Sequence, residues 1–188
     1  MAFTTRLSML QKVGNNDEAA WNAFVDYYTP LIQLRAQDMK LTEQETDELR
    51  QNVCVALFKS SAVARYDKTQ GSFRNYLRTI ITNCAIDILR KRESPVDITA
   101  IDDPPAEEDD RFEREWRRFL YEKALEEVRA NCDPATYMAF ELYAVRGLPV
   151  QTVAQMVSLK EASVYQAKTR ITQRLKDIIA RLQREHEG

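Results

Sequence analysis

Glycine and proline are scarce, four and six in 188 residues. That is too few turn residues for an all-β chain, and it leaves long stretches without a breaker. Cysteine is scarcer still. Cys54, Cys84 and Cys132 are an odd number with no C-x-x-C pair, which argues against a disulfide framework or a zinc site and for a reducing compartment. The one histidine, His186, falls near an end expected to fray, and no glycine-rich loop could cradle a phosphate. No catalytic residue, metal site or cofactor is therefore expected, and the chain is read as a non-enzyme. No apolar run approaches the roughly 20 residues of a membrane span. The opening MAFTTRLSMLQK lacks the apolar core of a signal peptide. A cytoplasmic protein without membrane insertion is expected.

What is present is helical periodicity and an uneven charge. The total is 27 Lys and Arg against 29 Asp and Glu, a net charge of −2. Residues 1–93 carry +2, residues 94–115 carry −7 and residues 116–188 carry +3. The acidic stretch SPVDITAIDDPPAEEDDRFERE also holds three of the six prolines, a composition that resists packing. The expected organisation is all-α: two small helical domains, 1–93 and 116–188, joined by an acidic flexible linker over 94–115.

In the first block, Asn15 or Asn16 can cap a helix bearing Trp21, Phe24, Val25, Tyr28, Leu31 and Ile32 at helical spacing. Pro30 should kink or interrupt it. Thr42 to Glu45 form a capping box that opens a second helix, with Leu49, Val53, Ala56 and Leu57 inward and Asp47, Glu48, Gln51 and Asn52 outward. The segment 73–92 carries an apolar stripe (Phe73, Tyr76, Leu77, Ile80, Ile81, Cys84, Ile88, Leu89) beside Arg74, Arg78 and the terminal Arg90-Lys91-Arg92. Residues 65–92 hold seven basic side chains against two acidic ones, a local charge suited to a polyanion. Tyr66 precedes this helix, and an aromatic beside basic residues suits base stacking.

In the last block, a helix is expected from about Arg111 to Ala130. Asp133-Pro134 should cap another that stops at Gly147. A short helix Val150 to Val157, a turn over Ser158 to Glu161 and a long helix from Ala162 towards Arg184 follow. Val164, Ala167, Ile171, Leu175, Ile178 and Leu182 would face inward. The outer candidates are Ser163, Tyr165, Gln166, Thr169, Arg170, Gln173 and Arg174. Short helix, tight turn and longer polar-faced helix match the helix-turn-helix unit that enters a major groove, and an ordinary αα-hairpin fits the same pattern.

Three segments together resemble bacterial sigma factors of the sigma-70 family, in its small extracytoplasmic-function (ECF) group. YDKTQGSFRNYLRTIITNCAIDILRKR is similar to regions 2.3 and 2.4, DELRQNVCVALFK to region 2.2, and GLPVQTVAQMVSLKEASVYQAKTRITQRLKDII to region 4.2. Asn52 stands where a carboxylate is usual, Cys54 where an aromatic is usual, Ser158 where the turn glycine is usual and Tyr165 where a basic residue is common. The resemblance implies a subunit that binds core RNA polymerase and directs promoter-specific transcription initiation. Asp47, Glu48, Gln51, Asn52 and Val53 would meet the β′ clamp helices. Tyr66, Arg74, Arg78, Asn83, Arg90, Lys91 and Arg92 would hold the melted −10 element, with Tyr66 and Asn83 at an extruded base. Region 4 would contact the β flap and read the −35 duplex through the seven outer residues of the last helix. An anti-sigma factor is a further partner the resemblance allows. The alternative is a stand-alone helix-turn-helix regulator acting without polymerase.

Overall fold

The computed structural model describes residues 17–59, 72–92 and 105–187. Every regular element among them is a helix: α1 Glu18–Asp38, α2 Glu43–Lys59, α3 Phe73–Arg90, α4 Pro105–Ala130, α5 Pro134–Phe140, a π-helical turn Glu141–Val145, α6 Val150–Met156 and α7 Glu161–Glu187. No helix among the described residues is long and apolar enough to cross a membrane. The chain divides into two compact units, Met1–Phe119 with Arg184–Gly188, and Leu120–Gln183.

In the first unit α1, α2 and α3 pack against one another. The cap of α1 is Asp17, whose carboxylate accepts from the Ala20 amide at 3.0 Å, so the cap expected at Asn15 or Asn16 sits one or two residues later. The helix runs through Pro30 unbroken; Tyr28, Leu31 and Ile32, buried on either side of it, hold the element in place against the loss of one backbone bond. The capping box of α2 is formed as expected. The Glu45 amide donates to Thr42 Oγ1 at 3.3 Å and the Thr42 amide to Glu45 Oε2 at 2.7 Å. On α3 the fully inward positions are Phe73, Leu77, Ile81, Ala85 and Ile88; Tyr76, Ile80, Cys84 and Leu89 are half-buried.

Two expectations for this unit are corrected. The tether over 94–115 gives way at Pro105 to α4, and Phe112, Glu115, Trp116 and Phe119 are buried in the first unit. Their spacing is that of one helix face. The unit boundary accordingly lies after Phe119, not at 115. His186 is also not frayed. It is 2 % exposed, its ring 4.8 Å from that of Trp116 and about 6 Å from those of Tyr27 and Tyr28. It continues the run Ile178, Leu182 by one more turn.

The second unit holds the helix-turn-helix. Ala139, Val153, Ala154, Val164 and Ala167 form its core, with Leu142, Tyr143, Leu148, Val150, Val157 and Leu159 packed around them. Asp133 caps α5 by accepting from the Thr136 amide at 2.9 Å, with Pro134 at the first helical position. All six residues expected inward on α7 are buried. The turn after α6 puts Ser158 at φ +54°, and the Leu159 amide donates to the Ala154 carbonyl at 2.9 Å, the closure of a Schellman-type helix end. Ser158 thus adopts the left-handed conformation that glycine favours.

Candidate nucleic-acid interface

The polar side of α3 is divided into two strips by helical spacing. Asn75, Thr79, Asn83 and Asp87 form an exposed strip. Arg74, Arg78 and Thr82 form a half-buried one. Arg74 pairs with Glu113, and its guanidinium lies 5.4 Å from the Trp116 ring and 5.9 Å from the Phe112 ring. Its side chain is only 15 % exposed. Thr82 Oγ1 accepts from Arg35 Nη2 at 2.8 Å.

At the end of α3 the three basic residues meet carboxylates. Arg92 donates to both oxygens of Glu45 at 2.6 Å and to the Lys40 carbonyl at 3.3 Å. This fork holds the Glu45 carboxyl down to about 2. Lys91 donates to Glu48 at 3.0 Å, and Arg90 lies 3.5 Å from Asp87. Arg90 and Lys91 remain exposed, so a phosphate can compete for them; such pairs are weak in water. Tyr66 lies outside the described residues.

Of the residues expected to meet polymerase, Asp47 and Gln51 are exposed, Glu48 and Asn52 half-exposed, all on the outer side of α2. Val53 is fully buried. It supports that surface from behind and is not on it, because its position falls on the inward stripe with Leu49 and Leu57.

On α7 the expected outer residues are exposed except Ser163, which is half-buried. Three of them use polar atoms within the unit. Thr169 Oγ1 donates to the Tyr165 carbonyl at 3.1 Å, Gln173 Nε2 to Asp177 at 3.0 Å, and Arg174 Nη1 to the Asn131 carbonyl at 3.3 Å. Tyr165 stands 48 % exposed with its ring perpendicular to that of Tyr143, 5.4 Å away.

One group that sequence reasoning missed is a buried ion pair. Arg35 is 0 % exposed and its Nη1 donates to Glu115 Oε1 at 3.0 Å. Glu115 Oε2 has no partner among the described residues. Burial pushes the Glu115 carboxyl up, and the Arg35 charge only partly opposes it. The signal was available: Phe24, Tyr28, Leu31 and Arg35 continue one helical stripe, so Arg35 occupies a core position. No cluster of His, Cys, Asp and Glu among the described residues could hold a metal. Burial raises the thiols of Cys54 and Cys84, which keeps them protonated and poorly nucleophilic.

Residues 24–94, all within the first unit, match the family model described as Sigma-70 region 2. A search among curated proteins finds no match to the chain. The match spans 71 of the 188 residues and concerns region 2 alone.

Proposed function

We propose that the chain is a sigma factor of the ECF group, working in the cytoplasm as a non-catalytic subunit of RNA polymerase. The observation that carries this reading is the coincidence of the region 2 match with the α1–α3 bundle, whose third helix exposes Asn75, Thr79 and Asn83 and ends in Arg90, Lys91 and Arg92. The amide of Asn83 can both donate to and accept from a base edge, as reading an extruded base of the −10 element requires. Arg90, Lys91 and Arg78 steer the strand's phosphates, and Arg74 joins them on leaving Glu113. Tyr66 is assigned to base stacking on its family position alone. Asp47, Glu48, Gln51 and Asn52 present a polar helix face to the β′ clamp helices, while the second unit contacts the β flap and reads the −35 duplex with α7. An anti-sigma factor would cover the same polymerase-facing surfaces.

Run-off transcription with core polymerase on genomic promoter fragments tests the reading. The full chain should give discrete start sites, and Asn83→Ala should abolish open-complex formation while leaving polymerase binding intact. Promoter binding that needs no polymerase would instead establish the stand-alone regulator.

A further inference from the structure

The turn between α5 and α6 holds an arrangement that the helix-turn-helix itself does not require. Residues Glu141–Val145 form a π-helical turn, in which the Arg146 amide donates to the Glu141 carbonyl at 2.9 Å and residues five apart come into line. The Arg146 guanidinium accordingly meets Glu141 at 2.6 Å. A π turn adds one residue to the helical register and recurs at functional sites. Here it brings Tyr143 to the outer face of α7. The Tyr143 ring packs on the core on one side. On the other it meets the Tyr165 ring edge-to-face at 5.4 Å and lies under the Lys168 ammonium, 5.4 Å from the ring centroid.

We propose that Tyr143 is a positioning residue for duplex recognition: from the π turn it holds Tyr165 towards base edges and Lys168 towards the flanking phosphate, and thereby sets which base pairs the first turns of α7 prefer. This rests on the reading of α7 as the −35 helix. An exposed tyrosine and an exposed lysine on a helix surface each sample several rotamers, and ordering them at the moment of binding costs affinity and blurs discrimination. The edge-to-face ring contact and the cation over the ring face order both beforehand. Tyr165 then offers a hydroxyl and a ring surface, the second suited to a thymine methyl in the major groove. Thr169 has its hydroxyl turned back to the Tyr165 carbonyl. The leading base readers on these turns are therefore Tyr165, Gln166 and Arg170.

The test uses the full chain with core polymerase and a pool of promoter-length duplexes of random sequence, with the bound fraction sequenced. Tyr143→Leu should lower discrimination about tenfold at the base pairs under the start of α7 and leave the −10 preference unchanged; Tyr143→Phe, which keeps the ring, should retain the wild-type profile. If Tyr143→Leu selects the wild-type sequences while Gln166→Ala and Arg170→Ala alter theirs, Tyr143 is only a core residue and the proposal fails. If Gln166→Ala and Arg170→Ala also change nothing, α7 does not read the duplex and the underlying reading fails with it. Should Tyr143→Leu lose helicity by circular dichroism, the exposed changes Tyr165→Leu and Lys168→Met decide. Non-additive losses of discrimination support a shared anchor, and additive losses overturn it.

Discussion

A guanidinium with no exposed surface is costly to bury, and Arg35 is one. Removing Arg35 and Glu115 from water costs more than their attraction returns, which is why the Glu115 carboxyl is pushed up despite a donor at 3.0 Å. Breaking the pair and replacing it therefore have opposite outcomes. Glu115→Leu leaves a buried cation and should destabilise the chain by about 3–5 kcal/mol in urea unfolding. Adding Arg35→Met should recover most of that loss, and an additive double variant would show that the two residues do not act as a pair. Ser158 makes a smaller point of the same kind. At φ +54° a side chain bears a left-handed penalty on the order of 1 kcal/mol, part of which glycine returns in unfolded-state entropy. Ser158→Gly should raise the stability of the second unit by some tenths of a kcal/mol, read as a Tm increase of a few degrees.

At the scale of elements, caps and stripes carried most of the legible information. Thr42 with Glu45, Asp133 with Pro134 and the inward run of α7 each couple one local choice to one periodicity, and the structure keeps all three. The beginning of α4 was not legible because proline and like charge read as a breaker. Pro105 instead stands at the first helical position, and Phe112, Trp116 and Phe119 supply an apolar face long enough to dock. The π turn has no local signal at all: it follows from the register that lets the residues around Tyr143 fill the core of the helix-turn-helix. His186 was lost for the opposite reason, since a charged, frayed-looking sequence hid the last member of a regular stripe. The α2–α3 junction gives a pH test. Arg92 holds the Glu45 carboxyl at about 2 against an ordinary 4.5. A lowered carboxyl contributes stability that is full above the unfolded value and is lost as pH falls through the folded one. Stability should decline from about pH 4.5 towards 2, and Glu45→Gln should flatten that part of the profile in acid titrations of the unfolding midpoint.

For the molecule as a whole, charge is the governing quantity. A chain of net −2 in which Arg74 pairs with Glu113, Lys91 with Glu48 and Arg92 with Glu45 cannot hold DNA by counterion release alone. In fluorescence anisotropy the isolated chain should bind a promoter duplex weakly and no better than a scrambled one. Core polymerase should raise promoter affinity on the order of a hundredfold, since two weak contacts on one assembly multiply. Equal affinity with and without polymerase would contradict this. The basic charge over residues 65–92 pointed to a polyanion. The pairing that tempers it was hidden, because Glu113, Glu48 and Glu45 lie 39, 43 and 47 residues from the cations they meet.

The pair of Arg35 and Glu115 also has a timetable. The two are separated by 80 residues, so at a synthesis rate of about 5–20 residues per second the arginine emerges from the ribosome several seconds before its counter-charge. During that interval the nascent α1 carries a cation on the face that must become interior. The bundle cannot close tightly until α4 arrives, and Trp116 in turn awaits His186, 70 residues further on. Translation speed across the acidic stretch thus becomes a determinant of how long the incomplete bundle is open to chaperones and proteases.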